Sequence, residues 1–286
     1  MAGADRRKPP GAFARLLAHP SFRWGFVLFG LVVASAVFAA WLAPYDPMRN
    51  NFRTRFVAPG EAFWLGTDRF GRDVLSRTLY GGQVSLRIGL GVAVLTALLG
   101  GLIGALAGFV RRLDDVLMRF MDALMAFPAV LLAIALAAAL GPSELNVILA
   151  LSIAYVPRTA RVMRAGVLVV REFPFVEGAR AIGASPARVL LRHILPNAVA
   201  PLVVQQTYVF ALAILAEAVL SFLGVGPPPP TPTFGGIIAE GRDYIQEAPW
   251  ISLVPGVAIA MTVLGLNLMG DGLRDALDPR LRTAVR

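Results

Sequence analysis

The chain has 286 residues, of which 57% are hydrophobic, and its mean hydropathy is +0.67. That composition excludes an ordinary water-soluble domain and points to an integral membrane protein. Cysteine is absent, which excludes a disulfide framework or a thiolate metal site, and the net charge of +9 falls in loops beside apolar runs without interleaved exposed aromatics, a pattern of membrane topology rather than nucleic-acid binding.

Arg6, Arg7, Lys8, Arg15 and Arg23 precede a first apolar run at 24–43. About 18 apolar residues exceed a signal-peptide core, so this run is read as a retained anchor. Five more runs follow at 88–110, 116–140, 145–167, 198–223 and 251–270. Each approaches the roughly 20 residues that a helix needs to cross a bilayer. Backbone in lipid must pair its own polar groups, so the expected fold class is an all-α integral membrane protein with six transmembrane helices.

Orientation follows from Lys and Arg. With the N-terminus in the cytoplasm, the N-terminal tail, the 111–119 turn, the 158–192 region and the C-terminal tail hold 5, 3, 7 and 4 basic residues, or 19 of 27. Cytoplasmic loops collect such residues, so both termini are expected inside. The other side keeps eight, mostly within 49–87, where Asp46, Glu61, Asp68 and Asp73 partly offset them. In that loop Asp68 and Asp73 can cap or pair with Arg72 and Arg77, giving a lid folded by polar contacts. Farther along, 227–232 holds five prolines interrupted by Thr231, which forbids a regular helix and predicts a stiff external loop.

Charged groups inside spans mark functional candidates, here Asp122 and Glu217. Asp122 lies three residues after Arg119, where a local ion pair suffices to explain it. Glu217 has no sequence-near cation; it either faces a cavity or interface or is paired structurally. Gln205 and Gln206 can line a path or hydrogen-bond between helices. Gly100, Gly104 and Gly108 share one face of their helix and are expected to serve close helix packing.

The segment 177–196, EGARAIGASPARVLLRHILP, is charged and lies between apolar runs. Pro174 suits a first helical position, and Gly183 can take the positive φ that ends such a helix. A second helix begins with Ser185 as N-cap and Pro186 at its first position, and Pro196 is expected to stop it near Leu195. Arg188 and Arg192 stand four apart, while Val189, Leu190, Ile194 and Leu195 remain for packing. The predicted unit is a helical hairpin with one wet and one greasy side.

Glu177, Gly178, Ala179, Gly183, Leu195 and Pro196 resemble the EAA loop of bacterial ABC importer permeases, with Gly178 where alanine is usual and His193 where isoleucine is commoner. Gly66, Thr67, Asp68, Gly71, Arg72 and Asp73, continuing through Ser76-Arg77, resemble the GTD and GRD signature of the C-type permeases of the dipeptide, oligopeptide and nickel group. Met118-Arg119, Asp122, Phe127-Pro128, Arg158 with Arg161 and Arg164, and Glu217-Ala218 with Leu220 to Gly224 extend the resemblance over 22–281. It implies a type I, MetI-like permease fold: a tail at 1–23, a first helix at 24–43, an external loop at 44–84, a five-helix transmembrane domain at 85–271 with a coupling loop at 171–197, and a tail at 272–286.

The resemblance further implies a non-catalytic subunit of the bacterial inner membrane that imports peptides or nickel-like solutes. Its implied partners are a second homologous permease, two ATP-binding subunits and an external substrate-binding protein. No cofactor or metal is expected on this chain, which lacks a G-x-x-x-x-G-K-[ST] sequence; ATP with Mg belongs to the partner ATPases. Glu177, Gly178, Ala179, Gly183, Arg188, Arg192, Leu195 and Pro196 are the expected ATPase-coupling residues. A rival reading, an ion-coupled carrier using Asp122 or Glu217, predicts inverted repeats that the sequence does not display. An intramembrane enzyme has only His19 and His193 to work with and no G-x-S-x-G motif.

Overall fold

The structure is a computed structural model that describes residues 16–17 and 19–277. The basic residues Arg6, Arg7, Lys8, Arg15, Arg280, Arg282 and Arg286, on which part of the orientation argument rests, lie outside the described residues. Apart from one isolated bridge between Thr67 and Asp73, the described chain is helix and loop. Its main helices are α1 (Pro20–Val37), α2 (Val74–Phe109), α3 (Arg111–Met125), α4 (Ala129–Leu140), α5 (Glu144–Val170), α6 (Pro174–Ala181), α7 (Pro186–Phe222), α8 (Phe234–Gly241) and α9 (Trp250–Leu277). One end of the bundle carries the 43–73 loop and α8, and the other carries α6 and the start of α7.

Among the described residues four helices, α1, α2, α7 and α9, are each long and apolar enough to cross a membrane. The expected single span at 116–140 is instead two helices, α3 and α4, bent by 86°. Pro128 explains the break, because it disfavours helical geometry at Phe127 and lacks the N–H that would continue the ladder. The 12 residues of α4 rise only about 18 Å, too short to cross a hydrocarbon core of about 30 Å alone. Helix α5 runs 27 residues and carries Arg158, Arg161 and Arg164 in its second half.

Other boundaries also differ from expectation: the first helix is Pro20–Val37 rather than 24–43, the last runs on to Leu277, and two more have clear local causes. Helix α2 starts at Val74, well before residue 88, because Asp73 caps it by accepting from the Ser76 N–H at 2.7 Å. Its first turns therefore extend beyond the apolar stretch. Pro196 does not stop its helix, since the 37 residues of α7 run through it. Residues Val189–Ile194 wind as a π-helix, with the Leu195 N–H bonding the Leu190 carbonyl. The wider turn takes the proline ring without a clash with the carbonyl four residues back.

Packing is carried by small residues and aliphatic clusters. A Cβ on Gly104 would lie 2.2 Å from the Ala160 carbonyl oxygen, and one on Gly108 2.8 Å from Val167 Cβ. The glycine stripe is thus the α2 face against α5, as ordinary bundle packing requires. Helices α1 and α9 cross as closely at Gly25 and Gly265. Ile88, Val92, Leu151, Val209, Ala213 and Leu220 join α2, α5 and α7 in one buried cluster, and Met163, Val167, Val170, Val176, Val189 and Ile194 tie α6 to the bundle in another.

Candidate functional site

The segment 174–196 folds as the expected hairpin. Pro174 opens α6, Gly183 turns the chain at φ +83°, and Ser185 caps the start of α7 by accepting from the Arg188 N–H at 3.4 Å. Positive φ is strained for residues with a Cβ, which is why glycine sits at this turn. Val176, Ala179, Val189 and Ile194 are buried, with Leu190 and Leu195 packed beside them. The opposite face is bare: Glu177, Gly178, Gly183, Arg188, Arg192 and Pro196 are exposed. Phe173, Phe175, Ile182 and Leu191 are exposed with them, Ile182 at 87%. An apolar patch ringed by charge on a rigidly anchored element has the chemistry of a protein-docking surface.

Ion pairs fasten the surroundings of this hairpin. Arg164 on α5 binds Asp114 on α3 with two bonds of 2.5 and 2.6 Å, and Arg171 donates to the Gly108 carbonyl at the C-terminus of α2 at 2.9 Å. Asp122 does not pair with Arg119 three residues away; Arg161 reaches it across helices at 2.6 Å. The bend at Pro128 sets α3 alongside α5, which made the cross-helix partner available and the local one unnecessary.

At the other end the signature residues fold on themselves. Gly66 and Gly71 take φ of +74° and +72°, and a Cβ on Gly71 would stand 1.8 Å from the Asn51 carbonyl oxygen. Thr67 accepts from the Val57 N–H at 2.8 Å and donates to the Thr54 carbonyl at 2.6 Å. Asp68 accepts from Arg72 Nε at 2.7 Å and Arg77 Nη1 at 2.6 Å. Sequence reasoning missed the fourth member of this cluster, Glu240 on α8, which binds Arg77 at 2.7 Å and also pairs with Arg72. Two guanidinium groups between two carboxylates clasp the loop, α2 and α8 together. Burial pushes the Glu240 carboxyl up, but the hydrogen bond and charge of Arg77, with Arg72 behind it, outweigh burial and hold it below its ordinary value. The available signal was a lone acid in the glycine-rich apolar segment 234–241.

Glu217 is fully buried near the end of α7. Its carboxyl accepts from Ser85 Oγ on α2 at 3.0 Å and from Ser221 Oγ at 2.6 Å, and Ser85 Oγ in turn accepts from the Phe234 N–H at the start of α8 at 3.1 Å. The acid is thus a hydrogen-bonded joint between α2, α7 and α8. Gln206 Oε1 lies 3.0 Å from Thr96 Oγ1, a contact between helices, and the neighbouring Gln205 is buried.

Residues 97–283 match the family described as binding-protein-dependent transport system inner membrane component, and residues 11–59 match the N-terminal TM domain of oligopeptide transport permease C. A Brucella abortus protein named for a peptide transport system permease is 58% identical over 94% of this chain and 90% of its own. The di/tripeptide transport system permease protein DppC of Pseudomonas aeruginosa is 45% identical over 97% of this chain and 94% of its own. Among solved structures, the MetNI methionine ABC transporter in inward-facing conformations aligns with a TM-score of 0.58 at 19% identity, over 71% of this chain and 97% of that one, a likeness of fold. The chain belongs to the binding-protein-dependent transport system inner membrane component family of ABC permeases, as a C-type member of its dipeptide and oligopeptide group.

Proposed function

We propose that this chain is the non-catalytic permease subunit of an ABC importer for short peptides, forming half of a translocation pathway with a second, homologous permease. The hairpin at 174–196 docks a cytoplasmic ATPase subunit, and the clasp end faces an external substrate-binding protein. The observation that carries this reading is the hairpin itself. Its inner face is locked into the helix core while its outer face presents Phe175, Ile182, Leu191, Glu177, Arg188 and Arg192 with nothing folded over them among the described residues. A push on that face must move α5 and α7, because Val176 and Ile194 are packed against Val167 and Val170. ATP-driven closure of two ATPases then biases the bundle between two rigid arrangements. The relatives' named substrates, peptides and di/tripeptides, supply the substrate class.

Purification of tagged chain from native membranes in mild detergent tests the assembly. An ATPase and a second six-span protein should co-purify, and Glu177→Lys, a charge reversal on the exposed face, should cut ATPase recovery severalfold. Recovery of the chain alone from membranes where it supports uptake would instead mark an ion-coupled carrier.

A further inference from the structure

A cavity of about 390 Å³ opens at the clasp end, between the proline-rich loop, the C-terminus of α7 and one side of α8. Its walls include Arg69, Phe222, Pro228, Glu240, Arg242 and Asp243. The size falls within the range of small-molecule sites. The charges are not balanced. Glu240 is already engaged by Arg72 and Arg77. Arg242 has only a loose contact with its neighbour Asp243 at 3.4 Å, with both side chains more than half exposed. Arg69 stacks over Phe70 at 4.6 Å, and its Nε is buried without a hydrogen-bond partner among the described residues. Beyond the Glu240 cluster, two guanidinium groups therefore share one carboxylate, that of Asp243. A guanidinium presents a planar fork of donors that matches a carboxylate. Phe222 lies under Arg242 at 5.2 Å and the prolines at 227–229 offer rings but no N–H donors, while Ser221 and Thr231 add hydroxyls to the wall.

We propose that this cavity is an entry site on the permease itself, holding a short peptide by its terminal carboxylate through Arg69 and Arg242, with Asp243 available to its ammonium end. The inference rests on the proposed import of peptides and adds to it a place where the permease meets the substrate directly. It also gives the proline run a role, as a wall that needs no ordering when the ligand arrives.

The test uses the full chain assembled with its partner permease and ATPases in nanodiscs, without binding protein. Trialanine and trialanine amide are the probes, and saturation-transfer NMR reads their affinity. Trialanine should bind, its amide about tenfold more weakly, and the double variant Arg69→Gln/Arg242→Gln should weaken trialanine about tenfold while leaving the amide unchanged. Arg69→Lys/Arg242→Lys keeps the charges and should recover part of the loss, which a misfolded wall would not. Equal binding of acid and amide overturns the site, as does trialanine binding that is unchanged in the Gln variant. A Gln variant that loses only affinity for the binding protein overturns it too, and assigns the cavity to an acidic side chain of that partner. Uptake of labelled trialanine by proteoliposomes supplied with binding protein separates the two layers. Uptake without carboxylate-dependent binding sinks the cavity alone, whereas failure to import any short peptide sinks the proposed function and this site with it.

Discussion

Glu240 decides how firmly α8 is held. It closes a cluster in which Asp68, Arg72 and Arg77 are nearly inaccessible to solvent, so removing its charge leaves two buried guanidinium groups sharing one carboxylate. Breaking such an arrangement costs about 2–3 kcal/mol at neutral pH. Because the folded-state carboxyl titrates below its ordinary value of 4.5, its contribution is complete above that pH and is lost as pH falls from there through the folded-state value. Glu240→Gln should therefore lower Tm at pH 7, and the gap to the unaltered protein should narrow at pH 4; a gap independent of pH would refute the linkage. At this scale the sequence was legible only in part. Asp68, Arg72, Asp73 and Arg77 could be paired on paper because they lie within ten residues, whereas Glu240 is 163 residues from Arg77 and no local pattern connects them. Asp122 failed in the opposite sense, since a near cation at Arg119 hid the true partner at Arg161.

The hairpin was legible almost to its atoms because proline, glycine and serine each dictate local backbone. Pro174, Gly183, Ser185 and Pro186 all stand where their conformational limits require. What propensity could not show was the π-turn at Val189–Ile194, since the rule that proline ends a helix assumes regular α geometry before it. The consequence is mechanical. The hairpin's second arm is continuous with α7, so under the proposed docking a displacement of its outer face passes into a rod that reaches Glu217 and the clasp end. Gly183→Val should test that coupling. A branched side chain at φ +83° costs about 1–2 kcal/mol, and nothing lies within 4 Å of the added Cβ, so the strain is confined to the turn. Insertion and abundance should remain, while ATP hydrolysed per peptide imported should rise severalfold. Unchanged stoichiometry with full uptake would separate the turn from coupling.

Over the whole molecule, the six apolar runs were visible from composition, but the third was misjudged as one rod because averaging over 25 residues conceals what Pro128 does to the backbone. Orientation is the property on which the proposed function depends, since an importer needs the hairpin on the side of the membrane that holds the ATPase subunits and the clasp on the other. Arg72, Arg77 and Arg87 on the loop side are paired with carboxylates, but so are Arg161 and Arg164 in the 158–192 region, so ion pairing does not separate the two faces and the expected orientation rests on the count of Lys and Arg alone. The absence of cysteine permits a direct measurement. Met48→Cys in the exposed loop and Ile182→Cys at the hairpin tip each introduce one accessible thiol on opposite ends of the bundle. A membrane-impermeant maleimide added to spheroplasts should label the first and spare the second, and inverted vesicles should give the reverse. The opposite pattern would place the hairpin outside the cell, where no ATPase can reach it, and would overturn the importer assignment at its root.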